Sequence, residues 1–313
     1  MPPVVGASID VGSNSVHLLV ATIANHRLTT LADESVFLGL GKAVAERGFL
    51  GPAAREELAD ALAMYARVAR EFGASWVTIA GTEPIRRSAD GPAVVHEVEA
   101  RTGLALHVLS HEEEALLTVV GVMAGRPVGR ETLVVDVGGG SSEFCVVGPG
   151  APPRAAGLRL GAARLTDRHV HHDPPTAEEL DAIREDAQRV LSDAPAAAPG
   201  EIVAVGGTVS NLLKVIRFGA SRGTLTRDKT ARAMASLATE PAAQAASRHG
   251  IREPRARILP AGAVIVDAIL RHYGAEALRV SEAGIREGAI LAAAHAGRAW
   301  RDRLPDLAHG WRA

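Results

Sequence analysis

Two short turns constrain this chain more than anything else in it. Asp10-Val-Gly-Ser-Asn-Ser15 lies between the apolar runs Ala7–Ile9 and Val16–Ile23, and Asp136-Val-Gly-Gly-Gly-Ser-Ser142 lies between Leu133–Val135 and Phe144–Val147. Apolar patterning at period two predicts a strand on each side, so each turn closes a hairpin with glycine and hydroxyls at its tip. Glycine lets backbone N–H groups converge on an anion with no Cβ in the way, and the serines add donors for phosphate oxygens. One such turn reads equally well as hairpin geometry, with Asp and Gly only supplying the bend. Two of them, each after a matched strand, imply like halves. The expected phosphate-binding groups are then Gly12, Ser13, Asn14 and Ser15 in one half and Gly138, Gly139, Gly140 and Ser141 in the other, clamping one phosphorylated ligand in the cleft between them.

Elsewhere strand and helix alternate. Apolar positions at helical spacing (Leu58, Leu62, Tyr65, Val68) predict a helix over Gly51–Phe72, followed by a strand at Trp76–Ala80, a helix over Gly91–Thr102 and a strand at Leu104–Leu109. Ser110 then opens a helix to about Met123, with Glu113 completing a capping box. Ala124-Gly-Arg-Pro-Val-Gly129 is the best candidate junction. It divides the chain into domains 1–124 and 125–313, the last helix being a candidate to pack back on the first. In the second half a strand at Ala155–Leu160, a helix at Thr176–Leu191 and a strand at Ile202–Val205 lead to Gly206-Gly207-Thr208. Helices at Ala261–Tyr273 and Gly284–Trp300 flank a short strand at Leu278–Val280.

Composition removes several function classes. The 313 residues hold 34 Lys plus Arg against 36 Asp plus Glu, a net charge of -2, so the whole molecule is no polyelectrolyte binder and no nucleic-acid partner is expected. No apolar stretch is long enough to span a membrane and the opening residues lack a secretory pattern, which makes the cytoplasm the expected compartment. A single cysteine, Cys145, excludes an internal disulfide and a thiolate zinc cluster. Lysine is confined to Lys42, Lys214 and Lys229, so the positive charge is nearly all guanidinium, the group suited to forked phosphate contacts; genome composition accounts for the same bias.

The remaining candidates fit phosphate chemistry. Gly207 and Thr208 follow a buried strand and open a helix, where unpaired N–H groups favour phosphate, although a plain strand-to-helix turn has the same sequence. Arg86, in the loop after Trp76–Ala80, has the reach to join them. Glu112, Glu113 and Glu114 serve the cap and the helix dipole, yet hydrolysis of a phosphoanhydride also needs a carboxylate that orients or deprotonates water. Asp136 and Glu143, on either side of the second turn, offer hard oxygen ligands for Mg²⁺. His169, His171 and His172 lack further ligands at fixed spacing and read as a solvated loop.

These residues resemble the Ppx/GppA phosphatases, the exopolyphosphatases and guanosine pentaphosphate phosphatases of the actin-like ATPase superfamily. The blocks IDVGSNSVHLLV, GTEPIRRSAD, LSHEEEALLTVVGV, VVDVGGGSSEF, LRLGAARLTDRHVHHDPPT, VAVGGTVSNL, ILPAGAVIVDAIL and VSEAGIREGAIL carry the resemblance in that order. It implies an α/β chain of two ribonuclease-H-like domains with the active site in the cleft between them, and metal-dependent attack of water on a terminal phosphate. By motif position Glu114 resembles the catalytic glutamate, Arg86 the phosphate-binding arginine, and Asp136 with Glu143 the acidic pair, so Mg²⁺ or Mn²⁺ is expected near Asp136, Glu143 and Asp10. The expected substrate is inorganic polyphosphate, in shorter chains because the sequence resembles the short two-domain form. Guanosine pentaphosphate is the alternative, a non-catalytic polyphosphate or nucleotide sensor a further one, and a sugar-type kinase a fourth that the Glu114 block argues against. The resemblance also implies a homodimer. Pro84, His111 and Leu116 depart from the family pattern, which commonly has a small residue, a glycine and an arginine there.

Overall fold

Val4–Val11 (β1) and Ser15–Ala24 (β2) pair antiparallel from Val11↔Val16 outward to Val4↔Ile23, so the first glycine turn is the tip of a real hairpin. The computed structural model describes residues 4–25, 27–216 and 223–311. Within them the chain divides into two compact units, Met1–Pro127 together with Ala283–Ala313, and Val128–Glu282.

In the first unit Arg27–Phe37 (β3) adds to the free edge of β2. After Leu40–Arg47 (α1) and Pro52–Glu71 (α2), Val77–Gly81 (β4) runs parallel to β1. Glu83–Arg87 (α3) and Gly91–Thr102 (α4) then lead to Leu106–Val108 (β5), parallel to β4, and to His111–Met123 (α5). The sheet order is β3-β2-β1-β4-β5. Strand β3 carries no pattern in the sequence because most of its residues are exposed, which erases the alternation that marks a half-buried strand. Leu58, Leu62 and Tyr65 of α2 pack on Ile9, Val11 and Leu18, each buried side chain contributing about 1.5–3 kcal/mol.

The second unit repeats this plan. Thr132–Val137 (β6), Ser142–Gly148 (β7) and Ala151–Leu158 (β8) form an antiparallel meander, followed by Ala162–His169 (α6) and Ala177–Leu191 (α7). Glu201–Val205 (β9) pairs parallel with β6 and leads into Gly207–Val215 (α8). Thr224–Thr226 (β10), Arg227–Leu237 (α9), Ala242–His249 (α10) and Glu253–His272 (α11) precede Ala277–Val280 (β11), which is parallel to β9. The order β8-β7-β6-β9-β11 matches the first sheet strand for strand, with β10 added at the edge. Helix α11 begins well before the predicted Ala261, because Pro260 is accommodated inside it where a proline normally stops a helix.

The chain then returns to the first unit as Ile285–Ala296 (α12) and Leu304–Ala308 (α13). Helix α5 is buried without interruption from Glu114 to Val122, and α12 lies directly on it. A Cβ on Gly121 would stand 2.1 Å from the Gly284 carbonyl oxygen, and one on Gly288 only 1.9 Å from that of Leu117, so these backbones touch where only glycine fits. Among the described residues no helix is long and apolar enough to cross a membrane.

Candidate active site

The two glycine turns are closed by the same bond. Gly12 N–H donates to the Ser15 carbonyl at 3.1 Å, and Gly138 N–H to the Ser141 carbonyl at 3.1 Å. In the second turn the carbonyls of Gly138, Gly139 and Gly140 accept from Ala162 N–H (3.0 Å), Arg164 N–H (3.0 Å) and Arg164 Nε (2.7 Å). A trans peptide points its N–H opposite to its C=O, so the N–H groups of Gly139, Gly140 and Ser141 are turned away from α6 and stay available as donors to an anion. The start of α6 is pressed so flat against the turn that a Cβ on Gly161 would lie 2.3 Å from the Gly139 oxygen. In the first turn Ser13 and Asn14 give their carbonyls to Gly41 N–H (2.7 Å) and to Leu38 and Gly39 N–H (3.0 Å each), which turns the Asn14 and Ser15 N–H groups away from those partners.

Both turns spend a serine hydroxyl on a buried carboxylate. Ser13 Oγ donates to Glu83 Oε2 at 3.0 Å, and Ser141 Oγ to Glu143 Oε1 at 2.8 Å. The backbone N–H groups are therefore the donors that each turn offers to an anion. Glu83, buried and also paired with Arg87, is a group the sequence reading passed over inside its own GTEPIRR block.

Arg86 stands on α3, not in a loop. Thr82 fixes that helix to the end of β1 by donating its N–H (3.2 Å) and hydroxyl (2.8 Å) to the Val11 carbonyl. The guanidinium Nη1 donates to the Leu109 carbonyl at 2.6 Å and pairs with Glu114, while Nη2 lies 3.0 and 3.2 Å from the two ring nitrogens of His111. Burial first, and then the Arg86 charge, hold His111 below the usual imidazole range. The residue that departs from the family glycine is thus packed on the phosphate-binding candidate itself.

The structure also sorts the three glutamates. Glu112 is exposed. Glu113 makes the predicted capping box, accepting from Ser110 N–H at 2.8 Å while its own N–H donates to Ser110 Oγ at 3.1 Å, and it holds Arg301 by two bonds of 2.7 and 2.9 Å. Burial raises the Glu113 pKa, but Arg301 and the Ser110 N–H outweigh it and bring the group below the ordinary value. Glu114 is the buried member and the one that meets Arg86. Arg301 escaped the sequence reading because nothing near it in sequence points to α5.

In the second unit Asp136 and Glu143 are paired residues of β6 and β7 and flank the turn. The Gly206 turn closes on Asp136. Gly206 has φ +100°, and a Cβ there would lie 2.5 Å from Asp136 Oδ1. Burial pushes the Asp136 carboxyl up to about 6. Thr208 is buried and packs on α11, leaving Gly207 exposed at the first turn of α8. Against Gly207 lies Arg255, whose Nη1 is 3.4 Å from where a Cβ would be. Burial, and next the charge of Arg252, pull Arg255 below the ordinary guanidinium range. Arg255 is a second group that sequence reasoning missed, since a lone arginine beside a proline carries no signal. Asp10 belongs to the first unit, where it feels the charge of Arg286; that guanidinium donates to Asp33 at 2.6 Å. The histidines are structural: His169 pairs with Asp186 and His172 with Glu179, each at 2.8 Å.

A family profile, the Ppx/GppA phosphatase family, matches residues 19–296. Exopolyphosphatase 1 of Mycobacterium tuberculosis is 29% identical over 299 residues, covering 90% of this chain and 86% of its own. A guanosine-5'-triphosphate,3'-diphosphate pyrophosphatase of Vibrio cholerae is 26% identical over 290 residues, covering 91% of this chain but 58% of its own. Among solved structures, a Ppx/GppA protein of Aquifex aeolicus superposes with a TM-score of 0.82 at 28% identity, over 95% of this chain and 99% of that one.

Proposed function

Because this chain belongs to the Ppx/GppA phosphatase family, we propose that it is an exopolyphosphatase, a hydrolase that releases orthophosphate from the end of inorganic polyphosphate and favours shorter chains. The two ribonuclease-H-like units, each with backbone N–H donors at its glycine turn, match what a substrate that is all phosphate and no base requires. One observation carries the catalytic part: of three consecutive glutamates, the buried one is the one in contact with Arg86.

In this proposal Glu114 orients the attacking water and takes its proton, and Arg86 presents its fork to the terminal phosphate. The N–H groups at Gly12–Ser15 and Gly138–Ser141, with the Gly207–Thr208 helix start and Arg255, stabilise charge on the phosphate oxygens. A divalent cation fits the second unit, where Asp136 and Glu143 offer hard oxygens side by side and the glycine at 206 keeps space in front of Asp136. Mg²⁺ or Mn²⁺ there would neutralise phosphate charge. Asp10 plays a supporting part, since Arg286 already supplies positive field beside it.

Guanosine pentaphosphate is the second reading, favoured by the likeness to the Vibrio cholerae enzyme. The proposal includes a cytoplasmic homodimer, which cell fractionation and light scattering test separately. For the activity, purified protein is given Mg²⁺ with polyphosphate or guanosine pentaphosphate, beside Glu114→Gln. Orthophosphate released from polyphosphate and reduced about 10²–10⁴-fold in the variant is the expected result. Release from the nucleotide alone establishes the second reading, and binding without release from either makes the protein a sensor.

A further inference from the structure

Most arginines of this chain have carboxylate partners, but two neighbouring ones in the second unit do not. Arg252 is the N-cap of α11 and Arg255 lies one turn on, tied to it by the bond from Arg255 N–H to the Arg252 carbonyl at 2.9 Å. Arg252 has extended backbone and stands at the mouth of the helix, close enough for its charge to act on Arg255. Neither side chain has an ion-pair or hydrogen-bond partner among the described residues. Arg255 is half-buried against Gly207, and Arg252 is exposed. The Arg252 side chain caps nothing in its own helix. Two like charges held close together without a counter-charge repel each other and cost stability, unless an anion with more than one charged group spans them.

We propose that Arg252 forms a second anion subsite on this unit, binding a phosphate further along the chain than the one held by Arg255 and the Gly207 turn. The inference rests on the polyphosphate reading and deepens it: the ligand is a continuous inorganic phosphate chain, and Arg252 is a specificity-determining residue for chain length. It takes no part in the bond-breaking step. Arg257, on the same helix, faces another way and lines a small pocket with Asp173 and Glu240, so it serves as the control for a general loss of charge.

The test uses the full chain carrying Glu114→Gln, so that binding is measured without turnover. Calorimetric titration with polyphosphate is run at several salt concentrations for this protein and after adding Arg252→Gln, Arg252→Lys or Arg257→Gln. Arg252→Gln is expected to raise Kd on the order of five- to tenfold and to lower the slope of log Kd against log salt by about one. Arg252→Lys should keep most of that slope, and Arg257→Gln should change neither quantity. In the active protein Arg252→Gln should raise KM for long chains more than for tripolyphosphate and leave kcat unchanged. Kd and slope unmoved by Arg252→Gln, or moved equally by Arg257→Gln, overturn the subsite and leave the exopolyphosphatase reading intact. Failure of the Glu114→Gln protein to bind polyphosphate, with no orthophosphate released by the native enzyme, overturns both.

Discussion

Asp136→Asn replaces a carboxylate with a group of nearly the same shape at a place where burial alone has raised the acid from 3.8 to about 6. The folded protein therefore holds this proton more tightly than the unfolded chain does. Below about pH 3 both states are protonated and the group contributes nothing. As pH rises the unfolded chain releases its proton first, and stability falls by about 1.4 kcal/mol per unit until the folded group also ionises near pH 6. The gap of roughly two units makes the ionised carboxylate cost about 2–3 kcal/mol at neutral pH, the lower figure allowing for partial contact with water. Thermal and urea unfolding in EDTA should thus find the asparagine variant more stable by that amount at pH 7.5, by about half of it at pH 5, and by almost nothing near pH 3. Mg²⁺ at about ten times its Kd should add about 1.4 kcal/mol to the native protein and little to the variant. A variant no more stable than the native protein at pH 7.5, or a gap that does not change with pH, refutes the argument.

Gly288→Ala should destabilise by at least about 3 kcal/mol in denaturant unfolding, because its methyl would meet the Leu117 carbonyl; helix propensity alone would make the same change favourable by about 1 kcal/mol, so a more stable variant disproves the backbone contact. Arg301→Ala frees Glu113 and the first turn of α5, and steady-state kinetics should show kcat lowered about three- to tenfold with KM little changed. Arg86→Lys keeps the charge but loses the fork, and KM for polyphosphate should rise about tenfold.

The hairpins around Gly12 and Gly138, the capping box at Ser110 and the helix start at Gly207 were legible because each is a local event, fixed by residues within a few positions of one another. Strand β3 was not, since an exposed edge strand has no buried face to impose a pattern. The same limit hid the functional surroundings. Arg301 reaches Glu113 from 188 positions away, and Arg255 reaches the Gly207 turn across the three helices α8, α9 and α10. Resemblance singled out Glu114 from its neighbours; the geometry gives the reason, since only that glutamate faces inward to Arg86 while Glu113 is committed to the cap.

The glycine contact between α5 and α12 also sets a clock. Val128–Glu282 separates the two helices in the chain, so a ribosome adding about 5–20 residues per second completes α5 roughly 10–30 s before α12 begins to emerge. During that interval the apolar stretch from Glu114 to Val122 lacks the helix that covers it, while the intervening unit, continuous in sequence, has all its own strands in hand. A nascent chain stalled anywhere before Gly284 would display that uncovered helix to chaperones and proteases, and only a chain translated past it would seat the glutamate on a finished scaffold.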